Sequence, residues 1–366
     1  MKAADRNKLI MAALWTEVCL VHPALDTINE GFEVYPVVDC IGGTSLEAHE
    51  AGLIRLLQAG GKPVSWVQLI CELQRDWNRE ETVPRFADIL FKIDSQSTQG
   101  ADKMQIDLTG KTALVTGSTE GIGYAIARQL AKSGADTIIN GRSEDKTARA
   151  VERLKGEGIT GRMTGVAADL STAEGCRALV ARVPHADILI NNAGIFQPID
   201  FFDAEDEVWD RHWQVNVMSA VRLSRAYLPG MQKLNWGRVI FLASESGFNI
   251  PVEMIHYGVS KTADIAVARG LAKRMTGTGV TVNSVLPGPT LSEGVQAMLA
   301  GEQQKTGLPI EDLAAAFVKQ HRSTSIIQRA ASVEEVANLV TYLASPLASA
   351  TTGASVRVDG GVIDTL

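Results

Sequence analysis

An α/β fold built on a parallel sheet is predicted by three features of the chain. From residue 111 onward, short apolar β-rich runs alternate with long stretches of helical periodicity. Runs that are apolar throughout, without strict alternation, belong to strands covered on both faces. The first of them, KTALVTG (111–117), passes straight into STEGIGYAIARQLAKSGA, with Gly117, Gly121 and Gly123 at the junction. The third feature is a second beginning. SQSTQG (95–100) has linker composition, and Met104 then opens MQIDLTGKTALVTG like the start of a separate protein. The expected organisation is a partial α/β segment over 1–93, a linker over 94–103, and a doubly wound parallel-sheet domain over 104–366.

The totals agree with this. A chain of 366 residues accommodates two domains, and 45% hydrophobic residues against 21% charged is ordinary for a globular protein with a substantial core. A net charge of −7 and a pI near 5.5 argue against a nucleic-acid surface. The four cysteines, Cys19, Cys40, Cys71 and Cys176, form no CxxC pair, which fits a reduced, cytoplasmic protein. No apolar run is long enough to span a bilayer, so no membrane role is expected. The opening MKAADRNKLIMAALW is too short in its apolar part for a signal peptide and is read as a buried strand.

In the second segment, the glycine junction lies between a strand and a helix whose apolar residues include Ile122, Ile126 and Leu130. Glycines there permit a tight turn and let a bulky anion approach the backbone, while the helix N-terminus offers free N–H groups to a pyrophosphate. The residues around it, Ser118, Thr119, Gly121, Ile122 and Gly123, are therefore candidate cofactor contacts. The next strand, DTIINGR (136–142), ends where a ribose contact is expected. Gly141 and Arg142 stand there in place of an acidic residue. A small residue leaves room for a 2′-phosphate and a guanidinium can grip one, so NADP(H) is favoured, with NAD(H) possible. A surface arginine in a turn is the alternative. Glu120 would repel such a phosphate unless it pairs with Arg142. Further strands are read in GRMTGVAADLS, ending at Asp169, in ADILINNAG (186–194), GRVIFLASESG (237–247), GVTVNSVLPGP (279–289) and SVRVDGG (355–361).

These residues resemble the short-chain dehydrogenase/reductase family over 104–366: TGxxxGIG at 116–123, NNAG at 191–194, YxxxK at 257–261, Ser244 thirteen residues before Tyr257, and Pro287-Gly288 after the sixth strand. The resemblance implies a Rossmann-type fold and hydride transfer between a nicotinamide and a carbonyl or alcohol carbon. Tyr257 is the candidate acid/base. A free phenol ionises near pH 10, and Lys261, one helical turn on, is expected to lower that value. Ser244 would stabilise charge on the substrate oxygen. The resemblance adds that Lys261 holds the nicotinamide ribose, that Asn216 supports a water-linked proton relay, and that Asp169, with Leu170 after it, lies beside the adenine. Asp169 could equally cap the next helix. It also places cofactor along the turn of Asn192, Ala193 and Gly194, with Asn192 itself read as a tie between strands, and near Pro287, Gly288 and Thr290. Thr290 either caps a helix or touches the nicotinamide carboxamide. The stretch 291–329 corresponds to the family's substrate lid, read either as an apolar pocket with a basic rim (Lys305, Lys319, His321, Arg322) or as a surface helix pair. A homo-oligomer, dimer or tetramer, built through the helices carrying Asn216 and Tyr257 is implied. A cofactor-sensing module without turnover is the rival reading.

The first segment runs strand, helix, strand, helix, with Gly60-Gly61 as a helix stop and KPVSW beginning a further strand. LWTEVC, GFEVYPVVDC and GGTSLEAHEAG resemble the C-terminal half of the isochorismatase-like cysteine hydrolases. Cys19 sits where a helix dipole would activate a thiol, yet the family's aspartate and lysine belong to a preceding half that the segment lacks. A relic is expected rather than an active hydrolase, with homotypic packing as its role. HEAGL at His49 is not a zinc motif, because Leu53 stands in place of the second histidine, and His49 is read as a structural hydrogen-bonding residue.

Overall fold

The computed structural model describes residues 6–76, 78–97, 106–159 and 161–365, and of 91–97 the backbone alone. The chain divides into two compact units, Met1–Met104 and Gln105–Leu366.

In the first unit, β1 (Lys8–Met11) pairs in parallel with β2 (Glu33–Pro36), joined by a π-helical turn at Thr16–Leu20 and α1 (Val21–Asn29). Then come α2 (Leu46–Gln58), α3 (Trp66–Gln74) and α4 (Val83–Ser97). Two expectations are corrected here. β1 is not buried: its residues alternate between exposed and half-buried, since a two-stranded sheet covers one face only. KPVSW contributes a single bridge, Val64 to Val37, and Ser65 then caps α3. The expected linker also begins too early, because α4 runs on to Ser97; residues 98–103 lie outside those described. Leu20, Val21, Ala24, Val34 and Leu56 make a small core. Around it Leu14, Trp15, Val18, Leu46, Ile54 and Leu57 stay exposed. Cys19 is exposed in the π-helical turn, and Thr16 Oγ1 lies 2.7 Å from His49 Nδ1.

The second unit is a seven-stranded parallel sheet in the order β5-β4-β3-β6-β7-β8-β9. Its strands are β3 (Thr112–Val115), β4 (Asp136–Gly141), β5 (Met163–Ala167), β6 (Ile188–Asn191), β7 (Gly237–Leu242), β8 (Val280–Pro287) and β9 (Ser355–Val358). The order reverses between β3 and β6, and an open α/β sheet binds ligands outside the carboxyl ends at that switch point. Strand side chains alternate between faces. Ala113 and Val115 join one core with Ile126 and Leu130 of α5 (Gly121–Lys132), Leu154 of α6 (Glu144–Gly156) and Val336 and Val340 of α13 (Val333–Ala344). Leu114, Leu189, Val239 and Phe241 join the other, with Leu179 of α7 (Ala173–Arg182), Leu223 and Tyr227 of α9 (Ser219–Lys233) and Ala268 of α10 (Ile255–Arg274). Side-chain caps from Ser143, Thr172 and Ser332 start α6, α7 and α13. Thr172 thus takes the cap that Asp169 was offered as; Asp169 Oδ1 instead accepts from Ser171 N at 3.1 Å, and β5 stops two residues earlier, at Ala167.

Between β6 and α9 lie α8 (Asp206–His212) and a second π-helical turn, Trp213–Met218. Beyond β8, α11 (Glu293–Thr306) and α12 (Ile310–His321) form a pair around Leu299, Leu313 and Ala314. Among the described residues no helix is long and apolar enough to cross a membrane.

Candidate active site

A cavity of about 650 Å³ opens at the carboxyl ends of the sheet. One end is the glycine junction. Gly117 and Gly121 have φ of 60° and 62°, a region that side chains other than glycine's rarely adopt. Gly123 is fixed by packing: a Cβ there would lie 2.4 Å from both Asn192 Nδ2 and Gly117 O. Asn192 is the clasp, its Nδ2 donating to Thr116 O (2.8 Å) and Gly117 O (2.9 Å). This joins the turn after β6 to the turn after β3.

Helix α5 begins without a side-chain cap, since its N-cap Glu120 makes no such bond. The Gly121 N–H instead donates to Glu293 Oε2, 2.8 Å away on the first turn of α11. A carboxylate thus rests where the dipole end of α5 and the bare glycine backbone would receive a phosphate. The junction therefore fits a dinucleotide on its own chemistry.

The other sequence-predicted contacts divide. Gly117, Gly121, Ile122, Gly123, Asn192 and Gly194 line the cavity, as do Pro287, Gly288 and Thr290 at its far side. Thr290 donates to Gly288 O, and Ser292, not Thr290, caps α11. Ser118 is fully buried, with its hydroxyl donating to Val115 O and accepting from Asn140 N. Leu170 is core, and Ala193 packs against that same core, so their side chains are engaged inside the protein. Thr119 explains Gly141: a Cβ at Gly141 would come within 2.6 Å of Thr119 Cγ2. The space at Gly141 is filled by Thr119 and is not room for a phosphate, which leaves Arg142 as the feature bearing on NADP(H). Arg142 is exposed, with no ion pair among the described residues; Glu120 lies 3.8 Å from Lys146 instead. Asp169 is also exposed, outside the cavity lining.

Ser244, Tyr257 and Lys261 come together on the cavity wall. Ser244 follows β7, and α10 carries the other two. Lys261 is buried, with Nζ donating to Leu242 O (2.7 Å) and Asp264 Oδ2 (3.1 Å). Asn216, in the second π-helical turn, is set back behind this wall. It grips the backbone of Ile195 on both sides, Nδ2 to O at 3.0 Å and Oδ1 from N at 2.8 Å, and also donates to Ser260 Oγ. The expected lowering of the Tyr257 pKa is corrected. Burial on the cavity wall pushes the phenol upward, Lys261 pulls it down as expected, Glu245 pushes it up, a hydrogen bond with Ser244 pulls it down, and Asp264 adds the smallest push, for a net rise. Lys261 is pulled down by burial but held above its usual value by Asp264 and Tyr257.

A residue that sequence reading passed over, Glu245, and one it read only as lid rim, Arg322, complete the site. Glu245 is buried beside Ser244, and its Oε2 accepts from the Ser244 hydroxyl, from Ser246 N and from Ser246 Oγ. Its Oε1 accepts from Arg322 Nε at 2.9 Å, and Arg322 also meets Glu253 Oε1 at 3.3 Å. Of the expected basic rim, Arg322 is paired, Lys305 and Lys319 are exposed and outside the cavity lining, and His321 lines the cavity beside Phe317, with ring centres 4.6 Å apart. The lid's apolar side is real, with Met298, Phe317 and Val318 lining the cavity. The adjacency of Glu245 to Ser244 was visible in SESG; its arginine partner, 77 residues on, was not.

A dinucleotide cradle at the switch point of a doubly wound sheet, with a serine, a tyrosine and a lysine on one wall, defines a nicotinamide-dependent oxidoreductase. The short chain dehydrogenase family model matches residues 111–303, and the isochorismatase domain model matches residues 1–68. The uncharacterized oxidoreductase YvaG of Bacillus subtilis is 49% identical over 71% of this chain and 98% of its own. The D-beta-hydroxybutyrate dehydrogenase of Cupriavidus necator is 35% identical, over 69% of this chain and 98% of its own. Among solved structures, the L-sorbose reductase of Gluconobacter frateurii, complexed with NADPH and L-sorbose, is 34% identical with a TM-score of 0.68, covering 72% of this chain and all (100%) of that one. The chain belongs to the short-chain dehydrogenase/reductase family, with an isochorismatase-like segment ahead of it.

Proposed function

We propose that residues 104–366 reduce a small carbonyl compound, or oxidise the matching alcohol, with a preference for NADP(H). The observation that carries this reading is the convergence of Ser244, Tyr257 and Lys261 with the glycine junction on one cavity. Bound at the junction, the dinucleotide supplies or accepts the hydride. The protein's part is proton transfer and positioning. Tyr257 gives its hydroxyl proton to the substrate oxygen in reduction and takes it back in oxidation. Lys261 stabilises the phenolate left behind. Ser244 holds the substrate oxygen once its hydroxyl turns from Glu245. Asn216 keeps Ile195 and the NNAG turn in place and supports a water path behind Lys261. Met298, Phe317 and Val318 close over the rest of the substrate, and Phe196, packed edge-on against Tyr257 at 6.3 Å, faces them. Relatives that act on L-sorbose and on D-beta-hydroxybutyrate point to small hydroxylated carbonyl compounds as the first class to screen.

Arg142 supports the choice of NADP(H), because it is exposed just after β4 with no ion pair among the described residues. Homo-oligomerisation through the helical segments carrying Asn216 and Tyr257, and 1–93 as a packing segment without hydrolase activity, belong to the same reading. The test is turnover of a panel of hydroxyketones and ketoacids by the full chain with NADPH and with NADH. Turnover that prefers NADPH, disappears in Tyr257→Phe and loses its NADPH preference in Arg142→Ala is expected. Dinucleotide binding with no turnover on any carbonyl would leave the sensing-module reading standing.

A further inference from the structure

We propose that Asp264 is a positioning residue for Lys261, and that its carboxylate, by offsetting the lysine's charge, helps keep the Tyr257 hydroxyl protonated and so biases the site toward reduction. This rests on Tyr257 being the acid/base. The pair Lys261–Asp264 is one turn of α10, with side chains only 6% and 4% exposed and Nζ 3.1 Å from Oδ2. Lys261 Nζ has three protons to donate. One goes to Leu242 O and one to Asp264, which directs the third toward the cavity wall. There Nζ lies 3.6 Å from the position a Gly194 Cβ would take, and 6.0 Å from the centre of the Tyr257 ring.

Two features separate Asp264 from an ordinary core residue. Its Oδ1 is buried with no hydrogen-bond partner among the described residues. Buried carboxylate oxygens left unpaired are costly, and an apolar side chain of similar size would pack without that cost. Its charged partner among the described residues, Lys261, is also the cation beside the acid/base. The anion therefore offsets part of the field that Lys261 exerts on Tyr257.

The other groups around the phenol pull both ways, and the Ser244 hydroxyl, hydrogen-bonding the phenol, sides with Lys261 in favouring the phenolate. Glu245, after β7, adds a second negative charge, and is itself paired with Arg322 from the lid, which also binds Glu253. His256, next to Tyr257 on α10, is held below its usual pKa by burial and packs on His212 of α8 with ring centres 4.4 Å apart. Asn216, from the π-helical turn, is uncharged. Lys261 is thus opposed at the phenol by two carboxylates. In reduction the Tyr257 proton moves to the substrate oxygen as the carbon takes hydride, and the phenolate regains a proton from solvent. A phenol kept protonated at neutral pH is the form that step needs.

The experiment is the pH profile of kcat/KM for alcohol oxidation by the full chain, comparing wild type with Asp264→Asn, and with Asp264→Ser if the first does not fold. Oxidation needs the phenolate, so its rate rises with pH through the Tyr257 ionisation. Loss of the carboxylate is expected to move that rise to lower pH by about one unit, which is about a tenfold gain in oxidation on its acidic side. The alkaline fall in reduction should move with it. An unmoved profile, with or without a lower melting temperature, would overturn the proposal, as would a shift to higher pH. Tyr257→Phe with undiminished activity would instead overturn the acid/base reading on which it rests.

Discussion

Replacing Arg322 with methionine should unsettle the larger unit far more than a surface arginine would. Arg322 Nε is 2.9 Å from Glu245 Oε1, and the two side chains are 12% and 6% exposed. Removing the guanidinium strands a carboxylate whose other oxygen is already committed to Ser244 and Ser246. Breaking a buried pair from one side costs about 3–5 kcal/mol, because the remaining charge keeps its desolvation penalty. For a unit of this size that corresponds to a fall of roughly 10 °C in the main melting transition. The assay is a thermal melt of wild type, Arg322→Met, and the double variant with Glu245→Gln. The double variant should recover most of the loss, since it removes the orphaned charge. A single variant melting with the wild type, or a double variant no better than the single one, would refute the reasoning. The pair would then be a solvent-screened contact of little energetic weight.

Three other outcomes are expected. Gly123→Ala should abolish any rise in melting temperature on adding NADPH, because its Cβ would enter the Asn192 clasp. Glu293→Gln should tighten NADPH binding roughly fivefold, measured by fluorescence titration, since a charged carboxylate no longer competes for the positive end of α5. Glu335, paired with Arg329 and bonded to Ser332 N, is lowered to about 2 when folded, from the ordinary glutamate value of 4.5. A lowered carboxylate pKa stabilises the fold above pH 4.5, and that contribution is lost as pH falls toward 2. With the side chain 42% exposed, screening leaves about 1 kcal/mol for the charge, so Glu335→Gln should cost that much at pH 7 and nothing near pH 2, read by urea denaturation.

The parts of the site that sequence showed are those whose chemistry is local. The glycine junction, Asn192, Ser244, Tyr257 and Lys261 lie within short motifs, and the strands that carry them are apolar runs that could be little else. What stayed hidden depends on distance in sequence or on a choice of partner. Gly141 looked like room for a phosphate, yet Thr119 fills it from another turn. Arg322 looked like a basic rim, yet two glutamates claim it. Asp264 was legible in principle, three residues after Lys261 on a helix, but carboxylates at that spacing are usually solvated and its burial is a tertiary fact. KPVSW failed as a strand because a serine cap and an amphipathic run overrode one β-branched pairing residue.

The π-helical turn at Trp213–Met218 limits how this protein can vary in length. It is one residue of slack in an otherwise continuous helical run from Asp206 to Lys233. Deleting any single residue there would let the run close as regular helix, with better backbone bonding, and would turn α8 by about 100° against α9. His212 would swing off His256, and Trp209, whose ring centre lies 6.1 Å from that histidine, would go with it. Asn216 would lose its hold on Ile195. A deletion that looks harmless as helix arithmetic would therefore put the wall behind Lys261 out of phase, with Ser244, Tyr257 and Lys261 all still present.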